Sequence, residues 1–313
     1  MPHLSRTSWL RSALTAVAVP LVARRRAAAQ GAPVRIGASS NESSGGVFYA
    51  SDLGLFERAG LATEILILQN GAAIGAAIAG GSLDIGTSSA FVFMNARRHG
   101  LPYTLIAPGT LYESNNAASL LVVPANSPIH SARDLNGKTI GGIGVGALDN
   151  LAIVSWIDQN GGDSTTVKVL ETSPSTMVDA MEQGRIAAAV LGEPQLSAAG
   201  NRIRTLGKAY DAIAKTFMLS VWFTTIEWAT KNPGTAKRFT NALEQAATWS
   251  AANPERAAVS LEKWTKIKIP RVRTRSAPRL EAGLIQPICD LALKYKMIDK
   301  PMDAREFIWN GRA

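Results

Sequence analysis

The sequence predicts an α/β protein made of two similar halves, each with a mostly parallel sheet flanked by helices. Three observations predict this fold class: short apolar runs alternate with helical patterns, one such unit occurs twice, and 313 residues suffice for two domains. Of the residues, 46% are hydrophobic and 18% are charged, which provides enough apolar surface for a sizeable core.

The first 29 residues have the pattern of a secretory signal peptide. Arg6 and Arg11 precede an apolar stretch, and the small residues that follow predict cleavage near Ala29. The stretch is shorter than the about 20 apolar residues that a membrane-spanning helix needs. Because Arg24–Arg26 stand between the stretch and the expected cut, the exact cleavage position stays open. A plain N-terminal anchor helix is the alternative.

The small net charge and the scarcity of metal-binding residues argue against two classes of function. Residues 1–29 hold five arginines and no acidic residue, so the formal charge of +9 falls to +4 for the rest of the chain. That charge is too small to predict nucleic-acid binding. Beyond the leader only His99, His130 and Cys289 remain as histidine or cysteine, too few for a zinc centre, so we predict no metal and no cofactor. Cys289 lies in an apolar helical stretch and is expected in the core.

One structural unit occurs twice, at residues 64–89 and 167–192. Each copy starts with a short β-type run and turns through small polar residues into a helix. The helices end at Gly81 and Gly184, which are 103 residues apart, and a second short strand follows each glycine. Agreement in periodicity, glycine position and spacing indicates a real repeat.

A further strand precedes each copy, at 34–37 and at 139–143, and leads through a polar loop into a helix. Each half therefore has the order β-loop-α-β-loop-α-β, which predicts parallel strands joined by right-handed crossovers. After residue 231 the pattern becomes helical, with Asn232-Pro233 and Asn253-Pro254 as helix starts. We expect these late helices to pack on the first half.

Several strings resemble a known family. The run from Ala50 through Gly54-Leu55-Phe56 to Gly60-Leu61 resembles the first helix and turn of periplasmic binding proteins of the type II fold. The similarity is greatest to the branch that serves sulfonate, taurine, nitrate and thiamine-precursor importers. Three further strings support it: Gly81 to Gly86 (GSLDIG), Asp134 to Lys138 (DLNGK) and Gly192-Glu193-Pro194.

The resemblance implies a two-lobed protein in which two crossover segments form a hinge. The crossovers are expected near Leu120–Pro124 and near Phe217–Thr224. The implied limits are 30–120 together with 222–313 for a discontinuous lobe 1, and 121–221 for lobe 2.

In parallel α/β sheets, ligands bind where the carboxyl ends of the strands meet loops and helix N-termini. Between two lobes these ends face each other across a cleft. The candidate ligand-binding residues are Ser39, Ser40, Asn41, Phe48, Gly71, Ser88, Ser89, Val145, Gly146, Glu193 and Trp222. We predict no catalytic residue among them.

Each candidate has a structural alternative. Ser88 and Ser89 are suited to holding an anion at a helix start, or simply to capping that helix. The glycines permit close approach of a ligand to the backbone, or merely tight turns. Glu193 is suited to accepting bonds from an amine or hydroxyl, or is a solvated hinge residue. The rings of Phe48 and Trp222 either stack on a solute or belong to the core.

The resemblance implies the solute-binding component of an ABC importer, located in the periplasm. Such a protein closes on a small polar or anionic organic solute, such as a sulfonate, taurine or a related acid, and delivers it to a membrane permease. We expect a monomer without enzymatic activity. The alternative is an enzyme of the same fold that acts on a small aromatic acid or a pyrimidine. The exact solute is left open by the sequence.

Overall fold

The structure is a computed structural model that describes residues 32–144 and 146–311. The predicted signal peptide and Val145 lie outside the described residues. Within the described part, none of the helices combines the length and the apolar character of a membrane span.

Thirteen strands are present in the described residues. In chain order they are β1 (Val34–Ser39), β2 (Thr63–Leu68), β3 (Ile85–Ser88), β4 (Tyr103–Pro108), β5 (Thr110–Glu113), β6 (Ser119–Pro124), β7 (Thr139–Gly142), β8 (Lys168–Glu171), β9 (Ala188–Gly192), β10 (Ile203–Gly207), β11 (Thr216–Met218), β12 (Val221–Thr225) and β13 (Arg275–Ser276).

The same part of the chain contains eleven α-helices. They are α1 (Gly45–Asp52), α2 (Leu55–Arg58), α3 (Gly71–Ala79), α4 (Ala90–Arg98), α5 (Leu148–Gln159), α6 (Met177–Glu182), α7 (Gln195–Ala199), α8 (Ile226–Lys231), α9 (Pro233–Ala252), α10 (Pro254–Thr265) and α11 (Gln286–Lys294).

The strands form two five-stranded sheets of equivalent topology. The first sheet has the order β2-β1-β3-β12-β4, and the second has the order β8-β7-β9-β6-β10. In each sheet the first three strands are parallel, and the fourth runs antiparallel to the third. Ile36 in β1 and Ile140 in β7 are both fully buried. This arrangement confirms the predicted α/β class with two mostly parallel sheets.

The repeat seen in the sequence is present in the backbone. Helices α3 and α6 connect the second and third strands of their halves, and each ends shortly before a glycine in the left-handed region. Gly81 has φ +72° and Gly184 has φ +69°, a conformation that costs glycine no steric strain. Strand β3 begins 103 residues before β9, which is the spacing of the two glycines.

A small three-stranded sheet lies where the chain passes between the two large sheets. Its order is β11-β5-β13, and β11 pairs with β5 antiparallel, with Phe217 opposite Tyr112. Since β5 leads from the first sheet to the second and β11 leads back, both connections run through this small sheet. The segment Leu120–Pro124, expected to be a crossover, instead lies within β6 of the second sheet. The exact lobe limits stay a prediction.

The late helices begin as the Asn-Pro pairs predict, with Pro233 and Pro254 in their first turns. Helix α9 packs on the first half, where Phe239 stacks on Phe56 with ring centroids 5.9 Å apart. Helix α10 contacts α1. Cys289, in α11, is 1% exposed, which confirms that it belongs to the core.

Candidate functional site

A cleft of about 500 Å³ lies between the carboxyl ends of the parallel strands of the two sheets. The first sheet contributes residues at or after the ends of β1, β2 and β3, and the second contributes residues after β7, β8 and β9. The main lining segments are 39–44, 67–72, 87–89, 143–144, 147–149, 173–175 and 192–193. This is the position that the topology of parallel sheets predicts for a ligand site.

Two helix N-termini reach the cleft on the first-sheet side. The Asn70 side chain caps α3 by accepting a hydrogen bond from Ala73 N at 2.9 Å. The Ser89 hydroxyl caps α4 by accepting from Val92 N at 3.4 Å. Such helix starts carry partial positive charge and free N–H groups, which favour the negative end of a ligand.

Ser88 lies between these two helix starts and differs from Ser89. Its side-chain oxygen is buried and has no hydrogen-bond partner among the described residues. Gly71 packs against it so closely that a Cβ at this glycine would lie 2.0 Å from Ser88 Oγ. The glycine is therefore required for close approach of α3 to β3, and not for a positive φ.

On the second-sheet side, Asp149 stands in the first turn of α5 and is 1% exposed. Its Oδ2 accepts a hydrogen bond from Ile143 N at 2.7 Å, whereas its Oδ1 has no partner among the described residues. Burial raises the pKa of Asp149 to about 6, while nearby backbone N–H groups, that of Ile143 first, act in the opposite direction. Tyr210 lines the same wall, and burial, followed by the charge of Asp149, raises its pKa.

Glu193 lines the cleft, but its carboxylate is already engaged by the protein. Ser197 donates to it twice, from its N–H at 3.0 Å and from its hydroxyl at 2.9 Å. Arg273 forms an ion pair with Glu193 Oε1 at 3.2 Å. The side chain of Glu193 is 1% exposed and that of Arg273 is 37% exposed.

Glu42 is a second buried carboxylate, 2% exposed, in the loop after β1. It accepts hydrogen bonds from the backbone N–H groups of Arg273, at 3.2 Å, and Thr274, at 2.8 Å. Its own N–H donates to the carbonyl of Glu193 at 3.3 Å. Burial is the main cause that raises the pKa of Glu42, and the nearby charge of Glu193 adds to it.

The cleft therefore contains acidic side chains without basic ones. Glu42, Asp149 and Glu193 are its charged lining residues, and no lysine, arginine or histidine lines it within residues 32–144 and 146–311. Over the same residues, no group of three or more histidine, cysteine or acidic side chains is arranged to hold a metal ion.

The structure brings most of the predicted site residues together. Ser39, Ser40, Asn41, Gly71, Ser88, Ser89 and Glu193 all line the cleft. Gly146 does not line it, has φ +73°, and accepts a hydrogen bond at its carbonyl from Asn95 Nδ2 at 3.4 Å. Val145 lies outside the described residues, so its predicted contact stays a prediction.

Two aromatic predictions need correction. Phe48 is fully buried and stacks on Trp264 with ring centroids 4.9 Å apart. Trp222 is 2% exposed and packs edge-on against Phe239 at 5.6 Å. Both rings belong to the core behind the first sheet, because α9 and α10 cover that face, and neither lines the cleft.

Sequence reasoning missed Glu42, Asp149 and Tyr210 as lining residues. The signal for Asp149 was present, because the predicted helix starts at this residue directly after a glycine-rich loop. The loop between β1 and α1 also contains Glu42. No local pattern pointed to Tyr210, whose position depends on packing of distant segments.

The comparisons with known proteins agree with this architecture. A protein of Brucella abortus whose name describes it as a binding protein is 24% identical over 333 aligned positions, covering 97% of both chains. The periplasmic aliphatic sulphonate binding protein SsuA of Escherichia coli matches in structure with a TM-score of 0.71 and 22% identity, covering 89% of this chain and 92% of that one.

The alkanesulfonate-binding protein SsuA of Xanthomonas axonopodis, solved with MOPS bound, has a TM-score of 0.75 and 20% identity, covering 90% of this chain and 99% of that one. These likenesses show the fold of periplasmic binding proteins and confirm the resemblance noted in the sequence. The family model described as NMT1/THI5 like matches residues 41–257, well over half of the sequence, and the chain belongs to this family.

Proposed function

We propose that this protein is the periplasmic solute-binding component of an ABC importer, which captures a small polar organic solute and delivers it to a membrane permease. The observation that carries the proposal is the cleft between the two sheets, in which buried polar atoms of both sides lack hydrogen-bond partners among the described residues. Asn41 Oδ1 and Ser88 Oγ belong to the first-sheet side, and Asp149 Oδ1 belongs to the second. Because an unpaired buried polar group costs about 1–3 kcal/mol, three around one cleft point to a ligand that pairs with them.

The mechanism follows from the placement of these groups. A solute that bonds to both sides gains its full set of contacts only when the sides are close, so its binding favours the closed state. The structure has direct contacts across the cleft, which would add to those of the solute: Gln195 Nε2 donates to Ser40 O at 3.4 Å, and Arg273 pairs with Glu193. The connections through β5 and β11 are the natural hinge. A permease would distinguish the closed from the open form.

The sulfonate-binding structural relatives and the predicted signal peptide support the periplasmic location and the importer partnership. We propose a monomer that does not bind nucleic acid. Fractionation of bacteria that express the full chain, followed by N-terminal sequencing, tests the location. A mature start near residue 30 in the periplasmic fraction is the expected result, and retention of the complete chain in the cytoplasm would contradict it.

Thermal unfolding of the chain from residue 30 tests the binding function. The panel contains sulfonates, amino-sulfonates, carboxylates, nitrate and pyrimidines. A solute present at about a thousand times its Kd should stabilise the folded state by about 4 kcal/mol. The variant Asp134→Asn, changed at an exposed carboxylate that caps a turn outside the cleft, serves as control and should respond like the parent. A flat response across the panel would contradict binding of these solute classes.

The alternative, an enzyme of the same fold, is separated by the same experiment. Two of the three carboxylates in the cleft accept hydrogen bonds from the protein at both oxygens, which leaves Asp149 as the candidate acid or base for such chemistry. After prolonged incubation, mass spectrometry should recover the bound solute unchanged. Conversion of the solute, abolished by Asp149→Asn, would favour the enzyme.

A further inference from the structure

We propose, on the basis of the solute-binding function above, that Asp149 is a specificity-determining residue whose free oxygen receives an ammonium group of the solute. The solute would then carry a protonated amine toward the second sheet and an acceptor-rich, negatively charged end toward the first.

The argument begins with the three carboxylates of the cleft. Glu42 accepts hydrogen bonds from the N–H groups of Arg273 and Thr274, and Glu193 accepts from Ser197 and pairs with Arg273. These two are therefore used to hold the segment around residue 273 against both sides of the cleft. Asp149 alone among them has an oxygen, Oδ1, without a partner in the described residues.

The surroundings of Asp149 favour a cation over an anion. No basic side chain of the described residues lines the cleft, so within residues 32–144 and 146–311 no cationic side chain of the cleft pairs with this carboxylate. Asp149 also occupies the first turn of α5 and takes the Ile143 N–H, which removes that donor from the set available to an anion. A buried carboxylate without a charged partner is a strong acceptor for an ammonium group.

The opposite side has the complementary character. There α3 and α4 begin at the cleft, capped by Asn70 and Ser89, and the Ser88 hydroxyl has no hydrogen-bond partner in the part of the chain that the structure describes. Helix starts and a free hydroxyl suit a negatively charged group. The Glu42 carboxylate also lies on this side, but it is already held by the N–H groups of Arg273 and Thr274. The groups left for a ligand therefore differ between the two sides, which orients a zwitterion and discriminates against its analogue without the amine.

Asp149 titrates in a range that makes this recognition sensitive to pH. Because burial raises its pKa to about 6, the carboxylate is mostly ionised at pH 7 and mostly protonated at pH 5. Tyr210 is the ionisable side chain whose charge interaction with Asp149 is resolved, and its raised pKa keeps it neutral throughout. Affinity for an amine should therefore fall in acid, while affinity for the analogue without an amine should not fall for this reason.

The test uses two matched pairs of probes, taurine with ethanesulfonate and β-alanine with propionate. Binding is measured by calorimetry to the chain from residue 30, to Asp149→Asn and to the control Asp134→Asn. The asparagine can still accept a hydrogen bond from Ile143 N, so the variant should fold. Thermal unfolding of the variant without ligand verifies this. We expect at least one amine probe to bind the parent more tightly than its partner, by about tenfold to a hundredfold, and Asp149→Asn to abolish that difference.

A purely structural role of Asp149 would weaken both members of a pair equally in Asp149→Asn, and this result would overturn the inference. Equal affinity of both members for the parent would overturn it as well. In either case the solute-binding function would stand, because binding itself would be observed. If the amine probes fail while other members of the wider panel bind, the inference fails alone; if nothing binds, both proposals fail.

Discussion

Glu42 and Asp149 lie in comparable strand-to-helix connections of the two halves of the molecule but differ in what surrounds them. Each follows the strand that lies between two parallel neighbours in its sheet, β1 or β7, and each is a buried carboxylate in the wall of the cleft. Both oxygens of Glu42 accept hydrogen bonds from the segment at Arg273 and Thr274, whereas one oxygen of Asp149 has no partner within residues 32–144 and 146–311. The comparison shows that a repeated scaffold places two similar groups, and that distant chain segments decide which one stays available to a ligand.

The largest effect is expected from removal of the engaged carboxylate. Glu42→Ala leaves the N–H groups of Arg273 and Thr274 without their acceptor, and charged hydrogen bonds of this kind contribute about 1.5–3 kcal/mol each. We expect the free energy of unfolding to fall by about 3–5 kcal/mol in denaturant titrations. Glu42→Gln keeps one acceptor oxygen and should lose about half as much. Equal stability of Glu42→Ala and the parent would show that the comparison is wrong.

The free carboxylate, that of Asp149, should instead make the stability of the fold depend on pH. Burial raises the pKa of Asp149 from 3.8 to about 6, so between these values the folded chain holds a proton that the unfolded chain has released. This contribution to stability is complete below about pH 4 and is lost as pH rises to about 6, a span of about 3 kcal/mol.

Asp149→Asn does not titrate and should lack that dependence. The pKa of Glu42 is shifted in the same direction, but Glu42 is present in both chains, so its effect cancels in the difference. Denaturant unfolding of the two chains from about pH 4 to about pH 7 should show that the unfolding free energy of the variant increases relative to that of the parent as the pH rises. A difference in unfolding free energy that does not change with pH would contradict the burial argument.

The next effect concerns Gly71, on the first-sheet side of the cleft. Gly71→Ala places a Cβ 2.0 Å from Ser88 Oγ and 2.8 Å from Ser88 Cβ, so α3 or β3 must shift. We expect a loss of about 1–3 kcal/mol in stability together with weaker binding of any solute held there. Gly75→Ala is the matched control in the same helix. Its Cβ would meet nothing closer than Tyr103 at 4.0 Å, and alanine favours a helix interior over glycine by about 1 kcal/mol.

The sequence predicts much of this architecture because the repeat depends on local sequence patterns. The glycines that end α3 and α6 and the proline starts of α9 and α10 depend on backbone preferences within a few residues. The lining serines at 39, 40, 88 and 89 follow from the rule that loops after parallel strands form the site.

What the sequence does not predict depends on contacts between distant segments. Phe48 and Trp222 were expected at the ligand, yet the late helices cover them, with Trp264 and Phe239 as ring partners. The engagement of Glu42 by Thr274 joins residues 232 positions apart. No local period encodes such a pairing, so which acidic residue stays free could not be predicted from the pattern alone.

The smallest expected effect decides what Glu193 does. If Glu193 and Arg273 mainly hold the two sides together, Glu193→Gln and Arg273→Ala should weaken solute binding by similar factors, and the double variant should be little worse than either single one. Their coupling should be about 1 kcal/mol, because the side chain of Arg273 is 37% exposed and solvent screens the pair. If Glu193 instead bonds directly to the solute, its substitution should cost more than that of Arg273, and the two effects should add. Calorimetric titration of the parent, both single variants and the double variant separates the two roles. Additive losses would show that Glu193 binds the solute directly, and the contrast between the bridging carboxylates and the free carboxylate of Asp149 would then be weaker.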